Sequence, residues 1–370
     1  MNRVLVCLAT CTLLAACAAP TTQRIQVSPD AQALEVERQR DIAFEDRMRD
    51  AQRIRHIYNK LTVHATDLCS KNVKPLLGFT AGTVNDYKEF GPSARRLLNL
   101  DNSLKVIDVS PGMPSEKAGL ARGDVLKTIN GRPMPSGDEA TKELSSLIDE
   151  ELLKSADSVV LAIDRSDVSH EITIKPVKGC GYRPQLVAGD AVNAYATGEV
   201  LAVTAGMMRF VRDDTELTLV IAHELAHNAM SHIDAKKQNA AVGLVGDILL
   251  AVLTRGAYRQ SSFAQAGAGA YSQDFEAEAD YVGLYIMARA GLPIDDAPRF
   301  WRRMGAANPS AIGNRSHTAS HPSTAERMLA LDKAVLEIKE KQAKGLPLVP
   351  EKKTEVPKEN VAPSQSGSVN

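Results

Sequence analysis

The residues whose types and spacing could do chemistry begin with His223-Glu224-Leu225-Ala226-His227. Histidines four residues apart fall on one face of a helix, where both imidazoles can hold one zinc ion. Glu224, one residue round the helix from His223, can then take a proton from a water on that metal. This is the core of zinc-assisted hydrolysis; the alternative is a surface helix with two unrelated histidines. The flanking text favours the first. Asp213-Asp214-Thr215-Glu216 reads as a helix cap with Glu at the third position, and Leu217, Val220, Ile221 and Leu225 follow as an apolar stripe at helical spacing.

A hydrolytic zinc site needs a third protein ligand and one position left for water. Phe275-Glu276-Ala277-Glu278-Ala279-Asp280 lies in a helix expected over 272–290, capped by Ser272 and ended by Gly291 and Pro293. Glu276 and Asp280 share a face of that helix, and Glu278, on another face, is the rival ligand. The intervening alanines allow close approach to the helix of His223. Between the two lies an apolar helix from Ala240 to Leu253, too short to cross a bilayer, then a Gly-, Ala- and Ser-rich stretch to Ala270 that reads as a lid or an insertion.

Taken together, His223-Glu224-x-x-His227, Glu276-x-x-x-Asp280 and His321-Pro322 with Arg327 six residues past the histidine resemble the HtpX-like and BepA-like zinc metallopeptidases related to the CAAX prenyl proteases. The resemblance covers about residues 180 to 335. It implies one zinc ion per chain held by His223, His227 and Glu276, with Glu224 catalytic and Asp280 orienting a ligand imidazole from behind. It further implies polypeptide substrates, in particular misfolded or misassembled envelope proteins, and the outer-membrane assembly machinery as a partner. His321 keeps three roles open: capping the zinc at rest, donating to the transition state, or anchoring its loop. His232 reads as a terminal or surface histidine, and His56, His64, His170 and His317 receive no role.

Ahead of these motifs, residues 71–178 form β-rich text. Leu104 to Val109 alternates as a strand, Asn130-Gly131 is a hairpin turn, Thr141 to Leu153 an amphipathic helix, and Val159 to Ile163 with Glu171 to Ile174 a closing hairpin. With Ser110-Pro111-Gly112 and Gly123-Asp124-Val125-Leu126, this resembles the PDZ domain of bacterial periplasmic proteases. Leu76-Leu77-Gly78-Phe79 stands where PDZ domains bind a peptide carboxylate, with Leu76 in place of a common first glycine. A peptide-binding role by strand addition follows from the resemblance; a domain kept only for packing is the alternative. Gly189 to Thr204 reads as a strand pair ending at Gly206.

The chain has 370 residues, 44% hydrophobic, with a formal net charge of −1 that leaves no nucleic-acid footprint. Residues 1–17 read as an export signal ending in Leu14-Ala15-Ala16-Cys17, which resembles the bacterial lipobox, with Cys17 carrying lipid; an ordinary signal cleaved nearby is the alternative. Ala18 rather than Asp follows the cysteine, which in its resemblance to Gram-negative lipoproteins implies an outer-membrane location, facing the periplasm and held by the lipid anchor. Export leaves Cys69 and Cys180 as the thiols to pair, flanking the β-rich unit at its two ends.

The expected architecture is therefore α+β: a lipoprotein signal (1–17), a tether and N-terminal helix (18–70), a PDZ-like domain (71–178), a mainly helical zinc metallopeptidase domain with a small edge sheet (179–340), and a disordered tail (341–370). A chaperone or adaptor working through the PDZ-like domain, with a resting metal site, is the rival function; a peptidoglycan-acting metalloenzyme is a third.

Overall fold

The computed structural model describes residues 21–69, 72–154, 157–253, 272–307, 321 and 325–353. The lipobox with Cys17, the lid stretch from 255, His317 and Pro322 lie outside them. No helix among the described residues is long and apolar enough to cross a membrane.

Ser28 caps α1 (Pro29–His64), accepting a hydrogen bond from Ala31 N, and the chain then runs as one 36-residue helix. Its outward start is exposed, Ile42 included, and packing begins only at the fully buried Phe44. Ile54, Tyr58 and Leu61 continue the buried stripe as the sequence periodicity requires.

After β1 (Val73–Leu76), the strands β2 (Phe79–Gly82), β3 (Lys105–Val109), β4 (Val125–Ile129), β5 (Arg132–Pro133), β6 (Val159–Arg165) and β7 (Val168–Ile174) make an antiparallel sheet ordered β2-β3-β4-β6-β7, with β5 on β4. A 3₁₀ stretch and α2 (Gly91–Leu98) follow β2, α3 (Pro114–Lys117) follows β3, and α4 (Ala140–Lys154) precedes β6. Asn130 and Gly131 (φ 50° and 79°) turn β4 into β5, the left-handed pair that a tight hairpin demands. Leu126, Ile129, Leu144, Leu161, Ile163 and Ile174 form the core between sheet and α4.

The two ends of this unit are closed together. β8 (Val177–Cys180) returns to pair antiparallel with β1, Val73 opposite Cys180, and Cys69 and Cys180 are joined by a disulfide with Cα atoms 5.7 Å apart. Tyr58 Oη and Thr62 Oγ1 of α1 both donate to Cys180 O, at 2.5 and 2.8 Å. α1 also grips β3, where Gln52, Arg55 and His56 surround the buried Asp108 at 2.7, 3.3 and 2.9 Å. His56 is thus a tie between helix and sheet.

The remaining chain holds β9 (Arg183–Val187), β10 (Ala194–Ala196), β11 (Val200–Thr204), α5 (Ala205–Phe210), α6 (Asp214–Ala229), α7 (His232–Leu253), α8 (Ser272–Arg289), α9 (Ala297–Ala306) and α10 (Ala325–Ala343). β10 and β11 are the expected strand pair, and β9 adds to β11 in parallel, giving the order β10-β11-β9. Beyond residue 341 the expectation of disorder is corrected for part of the tail. α10 continues to Ala343, Leu348 packs on the core while its carbonyl accepts from Arg289 Nε at 2.6 Å, and Glu351 N donates to Tyr281 Oη at 3.1 Å. A Pro- and Lys-rich average conceals these short anchors; residues 354–370 lie outside the described ones.

Candidate metal centre

Asp213 caps α6, its carboxylate accepting from Glu216 N at 2.9 Å, while Glu216 reaches back to Arg212 N at 2.7 Å. Every residue from Leu217 to Ala229 is buried. A helix so enclosed must be met closely by its neighbours, and Gly283 of α8 shows how: a Cβ there would lie 3.2 Å from the Ala222 backbone and from His223 N. The fully buried Ala279 lines the same approach, so small residues bring Glu276 and Asp280 up against α6.

His223 Nε2 and His227 Nε2 face each other at 3.1 Å. Glu276, wholly buried, places Oε2 3.3 Å from the first and Oε1 3.3 Å from the second. His321 Nδ1 completes the group, 2.8 Å from Glu276 Oε2 and 3.3 Å from His223 Nε2. One atom from each of these four residues lies within 4.8 Å of all the others. Behind them Asp280 Oδ1 stands 3.0 Å from His223 Nδ1 and takes two bonds from Arg327, at 2.8 and 2.9 Å. Arg327 Nη1 lies 3.3 Å from Glu276 Oε2. Glu224 is buried beside the cluster, its Oε1 3.4 Å from His321 Nε2, which in turn donates to Ala194 O of β10 at 3.1 Å.

The residues fit zinc. Tetrahedral bonds of about 2.0–2.1 Å require ligand atoms roughly 3.3 Å apart, the spacing found between the imidazoles and Glu276. Among the described residues, Glu224 Oε2 and Glu276 Oε1 are buried without a hydrogen-bond partner, which a cation at the cluster would remedy for Glu276. Burial pulls the His227 imidazole down to about 3, keeping it neutral. For His223 burial also pulls down, but the Asp280 and Glu276 carboxylates outweigh it and raise the ring to about 9. Glu276 is held well below the usual carboxylate range, the three imidazoles overcoming the effect of burial. Burial pushes the Glu224 carboxyl up.

Glu278, the rival ligand, is exposed and turns away from the cluster. His232 corrects the expectation of a surface histidine: it is 1% exposed, 2.9 Å from His227 Nδ1, and stacked on Phe275. Its ring arrives there because Ser231, at φ 58°, breaks the helix between α6 and α7 and folds the chain back. Sequence spacing also gave no sign of Trp301, whose ring lies 5.0 Å from that of His223 and 5.7 Å from the Arg327 guanidinium.

Residues 165–335 match peptidase family M48. The mitochondrial metalloendopeptidase OMA1 of Arabidopsis thaliana is 24% identical over 60% of this chain and 45% of that protein. The beta-barrel assembly-enhancing protease of Escherichia coli (strain K12) is 25% identical over 50% of this chain and 40% of that protein. The chain thus spans about half the length of these relatives or less. A crystal structure of the HtrA3 PDZ domain bound to a phage-derived ligand is 22% identical, covering 29% of this chain and 90% of that one, with a TM-score of 0.21. The family match and the relatives support a metallopeptidase of the M48 kind, in the half of the chain that holds His223, His227, Glu276 and His321.

Proposed function

We propose that this protein is a zinc-dependent endopeptidase of the bacterial cell envelope, anchored to the outer membrane through Cys17 and facing the periplasm, which cuts misfolded or misassembled envelope proteins. The observation that carries the peptidase reading is the convergence of His223, His227 and Glu276 with the buried carboxylate of Glu224 beside them, whose Oε2 has no hydrogen-bond partner. The envelope assignment rests on the export signal in the sequence and on relatives named for beta-barrel assembly.

In this reading His223, His227 and Glu276 hold the metal and Asp280 fixes the His223 ring. Zinc, when bound, lowers the pKa of a coordinated water to near 7 and polarises the scissile carbonyl. Glu224 accepts the proton of the attacking water and passes it to the leaving amine, its buried position keeping the carboxylate's affinity for that proton high. Among the described residues β10 pairs only with β11, so an extended substrate would add as a strand on its other side, taking the Ala194 carbonyl that His321 Nε2 now holds. The unit over 71–178, read as a PDZ domain, would gather polypeptides by the same kind of edge pairing at β2.

A second reading, a chaperone or adaptor with a resting metal site, is favoured by one observation. His321 makes the ligand set four, and a closed four-ligand zinc is the structural rather than the catalytic pattern. Casein hydrolysis by the purified zinc-loaded protein separates the two. Glu224→Gln is expected to lower the rate by about 10²–10⁴-fold while zinc content stays the same; hydrolysis at the wild-type rate overturns Glu224 as the base, and none by the wild type favours the adaptor. His321→Ala raises the rate if the ring caps the metal at rest and lowers it if the ring assists the transition state.

A further inference from the structure

The three acidic side chains of Glu276-Ala277-Glu278-Ala279-Asp280 do not share one task. Glu276 faces both imidazoles and Asp280 backs His223 directly. Glu278 leans the other way, to 3.0 Å from His232 Nε2, and His232 Nδ1 lies 2.9 Å from His227 Nδ1. His232 is enclosed, and Phe275, one turn before Glu278 on α8, stacks on its ring at 4.8 Å between centroids and 24° between planes.

These contacts admit one consistent assignment of protons if His227 is to present a lone pair to a metal at Nε2. Its proton must then sit on Nδ1 and be donated to His232 Nδ1. That leaves the His232 proton on Nε2, where Glu278 accepts it. Building on the zinc reading above, we propose that His232 and Glu278 are positioning residues: a carboxylate–imidazole relay that fixes the tautomer and rotation of the metal ligand His227. His223 reaches its carboxylate in one step and His227 in two, and both carboxylates come from α8. Such backing partners strengthen ligand basicity and hold ring orientation, and their loss lowers metal affinity by about 10–100-fold.

The test measures zinc affinity of the full chain by competition with a chromophoric chelator, with circular dichroism to establish that each variant is folded. His232→Ala is expected to bind zinc about 10–100-fold more weakly, and His232→Gln, whose amide oxygen can accept from His227 Nδ1, to recover part of the loss. Glu278→Gln should weaken binding by a smaller factor that disappears when His232 is already alanine, since the carboxylate acts only through that ring. A proton resonance on His227 Nδ1, present in the wild type and lost or shifted in His232→Ala, reports the tautomer without any turnover. Wild-type affinity in His232→Ala, or an undiminished Glu278→Gln effect in its background, overturns the relay and leaves the zinc reading intact. Failure of the wild type itself to bind zinc overturns both.

Discussion

In the β-rich unit the interior is aliphatic: Leu126, Ile129, Val159, Leu161, Ile163 and Ile174 fill it. Its buried carboxylates Asp108, Asp124 and Glu151 lie at the margins, each met by an arginine, Arg55, Arg165 and Arg132 respectively. Around α6 the reverse holds. His223, Glu224, His227, His232, Glu276, Asp280 and Arg327 are all 6% exposed or less and contact one another in a single cluster. An aliphatic interior loses energy in proportion to the atoms removed, whereas a buried charged cluster is held only as long as each charge keeps its partner. One half of the molecule is therefore tolerant and the other brittle, a difference that single substitutions can expose.

The sharpest probe is Arg327→Met, which keeps much of the side-chain volume but withdraws the cation bonded to Asp280 and set against Glu276. Leaving those buried carboxylates uncompensated is expected to lower stability by about 3–5 kcal/mol and to weaken zinc binding with it. Thermal unfolding of the metal-free protein reads the first effect and zinc titration the second. A loss below about 1 kcal/mol would show that the centre is not brittle. Asp280→Asn retains size and one acceptor, so it should leave the fold in place and reduce zinc affinity by about 10–100-fold.

In the aliphatic half the matching change is Ile163→Val, at a side chain with no exposed surface. One methyl lost from such a core lowers stability by about 0.5–1.5 kcal/mol. Zinc affinity should not change, because Ile163 belongs to the aliphatic core between sheet and α4 and not to the residues packed around α6. Coupled loss of metal binding would mean that the two halves are energetically one.

What could be read in the sequence divides along the same line. Wherever one helix supplies the geometry, spacing suffices: four residues bring His223 over His227 and Glu276 over Asp280, and the Asp213 cap announces the start of α6. The disulfide followed from topology, since a unit's ends lie close together, and β1 pairing with β8 is how this chain brings them there. Contacts made across a break were illegible. His232 comes five residues after His227, a spacing that points away from it on an unbroken helix, and only the positive φ of Ser231 restores the approach. β9 is not among the strands expected from the sequence; it contains Pro184 and sits at the sheet's edge, where proline is tolerated. The relay from Glu278 needs α6, α7 and α8 together, so no single stretch could announce it.

The smallest expected effect concerns acid, and it separates a marginal charge from the central cluster. Glu151 of α4 accepts from Arg132 at 2.7 Å, from Asn130 at 3.0 Å and from Lys154 at 2.9 Å, tying the helix to the β4–β5 turn. Asn130 does double duty, since its side-chain oxygen also accepts from Val160 N at 2.8 Å. The Arg132 guanidinium, then Asn130 and Lys154, draw the Glu151 carboxyl from its ordinary 4.5 down to about 2. A carboxyl whose value is lowered by folding adds stability above its unfolded value and loses it as pH falls towards the folded one. The contribution of Glu151 is thus complete above about pH 4.5 and disappears between there and pH 2. Glu276 and Asp280 are depressed as well, so the wild type alone cannot assign the acid sensitivity. Glu151→Gln can: it should melt lower than the wild type at pH 6, and the gap should narrow as pH falls from 4.5 towards 2 and below, where the wild-type group takes up its proton and comes to resemble the amide. A gap that stays constant with pH would make Glu151 a packing residue, and the acid sensitivity of the chain would belong to its other depressed carboxylates, Glu276 and Asp280 among them.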